Sequence, residues 1–147
     1  MIGPNENPLR LREAKRQARS FEAVRSAHQR EVAEDYVEMI ADLIDVTGEA
    51  RSVDVAERMG VTNATVNTTL NRLIRDGLVQ KERYRSIFLT DLGRRVAEAA
   101  RHRHGVVRDF LLKLGIDRET AESDAEGIEH HISEKTLSAL RRFTSGE

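Results

Sequence analysis

Residues 125–131, AEGIEHH, set Glu126, Glu129, His130 and His131 within six positions of a chain that has five histidines in all. On a helix, Glu126, Glu129 and His130 fall at i, i+3 and i+4 and share one face, whereas His131 points away from them. Two carboxylates and an imidazole on one face repel or waste one another unless a cation joins them. They are also an ordinary oxygen and nitrogen donor set for a divalent ion. Three ligands from a single helix rarely complete a site, and the zinc-enzyme spacing H-E-x-x-H is absent. Spacing alone therefore leaves two readings open, a metal site and a solvated helix face.

Composition narrows the surroundings of this stretch. The chain has 147 residues, 39% apolar and 33% charged, enough for one or two small cores. It has no cysteine, which excludes disulfides, thiolate zinc sites, iron–sulfur ligation and cysteine nucleophiles. No apolar run approaches membrane-spanning length, and the N-terminus lacks the apolar core of a signal peptide, so a cytoplasmic address and no membrane partner are expected. The net charge of −1 speaks against a self-sufficient nucleic-acid-binding domain, which is usually plainly basic.

The elements that must position the stretch read as helices with one short hairpin. Residues 1–27 form a basic N-terminal arm, with Arg10, Arg12, Lys15, Arg16 and Arg19 near Glu13. It is expected to be solvated, with DNA-backbone contact as the alternative. From Arg30 to Val46, Tyr36, Val37, Ile40, Leu43 and Ile44 recur at helical spacing and predict one buried stripe. Glu31, Asp35 and Glu38 fall on the opposite side, and taken alone they read as a solvated acidic face.

The following stretch carries helix-turn-helix spacing. A short helix with Val53, Ala56 and Met59 inward leads to Gly60, where a tight turn can take the left-handed conformation. Thr62 can then cap a second helix with Val66, Leu70, Leu73 and Ile74 inward, ended by Gly77. Its outward residues Asn63, Thr65, Asn67 and Thr68 are types that hydrogen-bond base edges or touch a thymine methyl, and Arg72 and Arg75 suit phosphates. LVQKERYRSIFLT reads as two strands around a turn, with Lys81, Arg83 and Arg85 alternating along its tip. A helix-turn-helix followed by a basic hairpin is a winged helix, whose tip lies along the DNA backbone or in the minor groove.

Thr90 opens a long helix with Val96, Ala100, Val107 and Leu111 as its stripe and His102 and His104 near its middle. Asp117 opens the next, with Ala121, Ala125, Ile128 and Ile132 inward, and Ser133 starts the last. The predicted fold is thus mainly α. It has a basic arm (1–27), a winged helix-turn-helix DNA-binding domain (28–90) and a helical C-terminal domain (91–147).

This order of elements, with DYVEMI near the start, RH at 103 and 104, GID at 115–117 and DAEGIEHHIS at 124–133, resembles the manganese transport regulators. These are the short branch of the diphtheria-toxin-repressor family of metal-activated repressors, and the resemblance covers roughly residues 28–143. It implies metal ligands at Asp35, Glu38, His104, Glu126, Glu129 and His130, and none at His102 or His131. It also implies a homodimer, activated by Mn²⁺ with two ions per protomer, that binds a palindromic double-stranded operator of manganese-uptake genes. No catalytic residue and no small-molecule substrate are expected. Bound cations would also turn the net charge positive, which answers the charge objection. At position 108, where the family often has an acidic residue, this chain has Arg108. Two other classes remain open: a metal-independent winged-helix regulator, and a small metallohydrolase using Glu126 or Glu129 as base on a metal-bound water.

Overall fold

The computed structural model describes residues 11–82 and 86–146. The expectations for Arg83 and Arg85 at the wing tip fall outside these residues. The chain runs α1 (Ala14–Thr47), α2 (Ser52–Met59), α3 (Asn63–Arg75), β1 (Val79–Lys81), β2 (Ile87–Leu89), α4 (Asp91–Lys113), α5 (Arg118–Ile128) and α6 (Glu134–Ser145). Among the described residues no helix is long and apolar enough to cross a membrane.

The largest departure from expectation is at the start. The arm and the first helix are one continuous element, and the 34 residues of α1 span about 51 Å at 1.5 Å per residue. Between Ala14 and Gln29 there is no proline or glycine to stop the helix, so the charged run joins it. Residues 14–26 remain largely exposed, and the first buried side chain of α1 is Ala27.

Two cores hold the chain. Tyr36, Val37, Ile40 and Leu43 of α1 pack with Val55, Val66, Leu70, Leu73, Val79, Ile87 and Ala97, which joins the first helix, the helix-turn-helix, the hairpin and the start of α4. A second cluster, Val107, Ala125 and Leu137 with Leu111, Ile132 and Leu140 around it, holds α4, α5 and α6 together. Several inward assignments are corrected. Val53 is exposed and Val55 takes its place, because α2 begins at Ser52 and turns Val55, Ala56 and Met59 inward. Ile74, near the end of α3, and Ile128, the last residue of α5, are also exposed where the helices leave their cores.

The turns use the expected chemistry. Gly60 closes α2 at φ 67°, and Thr62, Thr90, Asp117 and Ser133 each accept a backbone N–H three residues on. Strands β1 and β2 pair antiparallel, with Val79 opposite Leu89 and Lys81 opposite Ile87. The Ile87 N–H donates to the Ala50 carbonyl at 2.7 Å, so the linker after α1 adds a bridge to the hairpin. Thr90 Oγ1 also donates to the Gly77 carbonyl at 2.6 Å, which seats α4 on the end of the helix-turn-helix. Further along, Arg94 pairs with Asp45, and Arg101 with both Asp42 and Asp45, tying α4 to α1.

Candidate metal centre

The middle of α1, the middle of α4 and the end of α5 meet between the two cores. α1 contributes Asp35 and Glu38 from the side opposite its apolar stripe, and α4 contributes His104. Helix α5 contributes Glu126, but its last helical residue is Ile128; Glu129 is the capping residue and His130 stands in the turn that follows. Helical phase therefore accounts for Glu126 and Glu129, and the turn places His130.

His104 Nδ1 lies 3.5 Å from Glu126 Oε1 and 3.5 Å from Glu129 Oε1. These three side chains can each offer an atom within 4.8 Å of the others. His130 Nε2 lies 3.7 Å from Glu129 Oε1 and 2.8 Å from Asp35 Oδ1, the latter without the alignment of a hydrogen bond. Glu38 lies close enough to be acted on by the charge of Glu126 and to act on Glu129. The six residues expected as ligands are thus gathered in one place, while His102 is exposed on α4. His131 turns to the outside, where Nε2 meets Glu31 Oε2 at 3.0 Å.

Burial makes this gathering costly without a cation. Glu129 is 0% exposed and His130 4%. Burial first, then the facing charge of Glu38, pushes the Glu129 carboxyl up to about 8. Burial would lower His130, but the carboxylates of Asp35 and Glu34 outweigh it and push the imidazole up to about 10. Glu38 is also raised, by burial and then by Glu126. Among the described residues, His104 Nδ1, both carboxylate oxygens of Glu129 and His130 Nε2 are buried with no hydrogen-bond partner. Orphaned buried polar atoms are rare because each forfeits its hydration, and here they sit on three neighbouring side chains, with His104 Nδ1 and His130 Nε2 at 3.5 and 3.7 Å from Glu129 Oε1. A divalent cation fits this donor set of oxygens and imidazole nitrogens.

The outer side of the centre was not read from the sequence. His104 Nε2 meets Glu122 Oε2 at 2.6 Å, and His130 Nδ1 meets Glu34 Oε2 at 2.7 Å. Arg103 donates to Glu34 Oε2 at 2.6 Å and to the Glu129 carbonyl at 3.0 Å. Each histidine thus has its outer nitrogen on a carboxylate and its inner nitrogen toward the centre, the usual arrangement behind metal-ligating imidazoles. A signal existed for Glu122, which shares a face of α5 with Glu126 and Glu129 at i, i+4 and i+7. Arg108 lies beside this outer shell, with Nη1 3.6 Å from Glu122 Oε1.

On the DNA-facing candidates, Asn63, Thr65, Asn67, Thr68, Arg72 and Arg75 are all exposed on α3. Thr65 is partly occupied, since its N–H and hydroxyl both engage Thr62 Oγ1. Thr68 Oγ1 donates to the Ala64 carbonyl at 3.0 Å, which leaves its methyl and an oxygen lone pair available. Lys81 is exposed on β1, with Nζ 3.3 Å from Ser52 Oγ.

Comparison with known proteins agrees with both halves. Residues 29–87 match the iron dependent repressor N-terminal DNA binding domain, and residues 90–145 match the iron dependent repressor metal binding and dimerisation domain. The chain is 52% identical over 124 residues to the transcriptional regulator MntR of Escherichia coli O157:H7, covering 84% of this chain and 80% of that protein. It is 36% identical over 107 residues to the HTH-type transcriptional regulator MntR of Bacillus velezensis, covering 73% and 75%. Among solved structures, a manganese-dependent transcriptional repressor in complex with manganese is similar at a TM-score of 0.70 and 28% identity, covering 78% of this chain and 53% of that one. IdeR of T. acidophilum is similar at 0.68 and 27%, covering 78% and 54%. This chain spans just over half the length of those two structures. With both halves matched and 52% identity to a transcriptional regulator over 84% of its length, the chain belongs to the diphtheria-toxin-repressor family of metal-dependent, DNA-binding transcriptional repressors.

Proposed function

We propose that this chain is a Mn²⁺-activated repressor of manganese-uptake genes, acting in the cytoplasm as a homodimer on a palindromic operator. The observation that carries the reading is the clustering of four buried atoms without a hydrogen-bond partner, on His104, Glu129 and His130, opposite Asp35 and Glu38 of α1. The proposed ligands are Asp35, Glu38, His104, Glu126, Glu129 and His130. All are carboxylate or imidazole, a set that suits Mn²⁺ and gives no soft-ligand advantage to Fe²⁺. The names of the relatives from Escherichia coli and Bacillus velezensis support the same metal.

A divalent ion bound there would supply the positive charge that lets the carboxylates of α1 and α5 share one site. The residues do the rest. Asp35 and Glu38 sit on the helix whose other face forms the core of the winged domain, while His104, Glu126, Glu129 and His130 belong to the dimerisation half. Fixing one set against the other fixes the angle at which α3 is presented, and in a dimer it sets the spacing of two α3 helices for successive major grooves. Asn63, Thr65, Asn67 and Thr68 would face base edges, and Arg72, Arg75, Lys81, Arg83 and Arg85 phosphates. Coupling of this kind is worth about 1–3 kcal/mol, or roughly 5- to 150-fold in DNA affinity. No residue is proposed as catalytic.

Operator binding measured against a series of divalent metals, at fixed salt because phosphate contacts make affinity salt-dependent, tests the reading. Binding that requires Mn²⁺ and is lost with chelator is the expected result. Equal binding in chelator would make the chain a metal-independent regulator. Activation by Fe²⁺ at free concentrations well below those of Mn²⁺ would remove the manganese assignment.

A further inference from the structure

His130 enters the centre from a turn, so no helix geometry sets its ring, yet its side chain is only 1% exposed and both nitrogens have defined surroundings. Nε2 faces Asp35 and Glu129 in the centre. Nδ1 faces Glu34 Oε2 at 2.7 Å on the far side. Glu34 is itself held: the same oxygen accepts from Arg103 Nη2, and Arg103 Nε donates to the carbonyl of Glu129, the residue just before His130. One guanidinium thus grips both the carboxylate on α1 and the peptide that leads into the imidazole.

An ionised carboxylate only accepts hydrogen bonds, so the nitrogen that meets Glu34 must carry the hydrogen. A neutral His130 then keeps its lone pair on Nε2, the atom that faces the centre. We infer that Glu34, oriented by Arg103, is a positioning residue that holds His130 as the Nδ1–H tautomer and presents Nε2 to a divalent cation. The inference rests on the reading of His130 as a ligand. Glu122 stands in the mirrored relation to His104, meeting Nε2 and leaving Nδ1 inward, so the two histidines are held in opposite tautomers. Outer partners of this kind are worth roughly 10–100-fold in metal affinity. Arg103 and Glu34 also link α4, α5 and α1 through groups that are not themselves proposed ligands.

Glu34→Leu removes the acceptor at similar size, and Glu34→Gln keeps an acceptor oxygen. Mn²⁺ affinity, followed by the signal of free Mn²⁺ in an electron paramagnetic resonance titration, is expected to fall about 10–100-fold in Glu34→Leu and to recover largely in Glu34→Gln. In protein loaded with diamagnetic Cd²⁺, ¹⁵N spectra of His130 should show a protonated Nδ1 and a metal-bound Nε2 in the wild type. That pattern should be lost in Glu34→Leu and restored in Glu34→Gln. A merely structural tie would lower thermal stability and leave the tautomer alone. Should Glu34→Leu not fold, Arg103→Gln, which frees Glu34 without removing it, is expected to weaken Mn²⁺ binding in the same direction. Unchanged affinity and an unchanged ¹⁵N pattern overturn the inference. His130→Ala separates the two levels: if it loses Mn²⁺ and Glu34→Leu does not, only the positioning role falls, whereas if it binds Mn²⁺ like the wild type, the ligand reading falls first.

Discussion

Asp35 Oδ1 and His130 Nε2 approach to 2.8 Å across the junction between α1 and the turn after α5. The same two atoms are proposed to share a cation, so the metal-free protein joins its two halves with a charge pair made from its own ligands. Arg103 and Glu34 hold a second link beside it, and the pairs of Arg94 and Arg101 with Asp42 and Asp45 a third. Metal therefore does not assemble the junction from separate parts. On the proposed reading it would take the place of the protons on His130 and Glu129, while the arginine links stay as they are.

Metal binding should consequently release protons. Glu129, pushed up to about 8 by burial and Glu38, and His130, held at about 10 by the carboxylates of Asp35 and Glu34, both carry protons at neutral pH when metal is absent. Both must give them up to act as donors. Apparent Mn²⁺ affinity is expected to rise steeply with pH below about 8, with release of at least the protons carried by these two groups. Calorimetric titration in buffers of different ionisation enthalpy counts them directly. A pH-independent affinity would mean that metal does not displace protons from these two side chains.

The metal-free fold should respond in the opposite sense. A group whose pKa is raised on folding stabilises the fold below its unfolded value, and that contribution is lost as pH rises through its folded value. For Glu129 this window runs from 4.5 to about 8, and for His130 from 6.5 to about 10. Glu34 is lowered, because His130 and Arg103 outweigh the effect of its burial, so its contribution is lost only on the acid side, as pH falls below 4.5. Thermal melting in chelator is expected to fall as pH rises from about 6 to about 9, and saturating Mn²⁺ should remove or reverse the trend. Melting points that rise with pH in chelator would contradict the environments assigned to both groups.

How much of this was legible before the structure depends on which physical cue carried each part. The caps Thr62, Thr90, Asp117 and Ser133 and the stripe Tyr36, Val37, Ile40 and Leu43 were readable, because short-range hydrogen bonding and 3.6-residue periodicity are local. The ligand set was not readable from spacing, since Asp35 and His130 meet only in the folded chain; the family resemblance supplied it. Glu34, Arg103 and Glu122 escaped because an outer partner has no spacing of its own and is defined by the group it holds. Residues 14–26 stay largely exposed yet continue α1, because no proline or glycine interrupts them, so charge density alone does not mark where a helix begins.

Gly93 offers a stability test independent of metal. It lies in the first turn of α4 against the end of the helix-turn-helix, and a Cβ added there would stand 2.0 Å from the Leu78 carbonyl oxygen and 3.3 Å from Leu89 Cδ2. The first neighbour is backbone and cannot rotate away. Gly93→Ala is expected to destabilise by about 1–3 kcal/mol or more through overpacking, although alanine favours the helix itself. Denaturant unfolding in chelator measures it, and a variant as stable as the parent would show that α4 can shift on the hairpin.

Reading and positioning on DNA should separate by residue. Thr68→Ala removes an exposed methyl and hydroxyl from α3 and should relax discrimination at one base pair, by roughly 1–3 kcal/mol if the contact is direct. Arg72→Ala or Lys81→Ala should weaken all sequences alike and flatten the salt dependence by about one ion. Titrations of a set of operator variants at several salt concentrations distinguish these outcomes. Uniform loss on every sequence from Thr68→Ala would mean that this face of α3 does not meet the bases. Thr65→Ala is a poorer probe, because its hydroxyl engages the capping Thr62.

His130→Ala should remove metal-dependent operator binding while leaving the dimer and the fold. The packing of α5 and α6 on α4 rests on Val107, Ala125 and Leu137, none of which needs the imidazole, so circular dichroism and sedimentation should be unchanged. His131→Ala and His102→Ala are the matched controls. His131 adjoins His130 but turns outward to Glu31, and His102 is exposed two positions before His104. Both should retain the response to Mn²⁺, because neither offers an atom to the centre. The expected contrast is a loss of roughly 5- to 150-fold in Mn²⁺-stimulated affinity for His130→Ala, the span of ordinary coupling energies, against little change for the controls. If His131→Ala abolished the response and His130→Ala kept it, the turn after α5 would have to present the other imidazole to the metal.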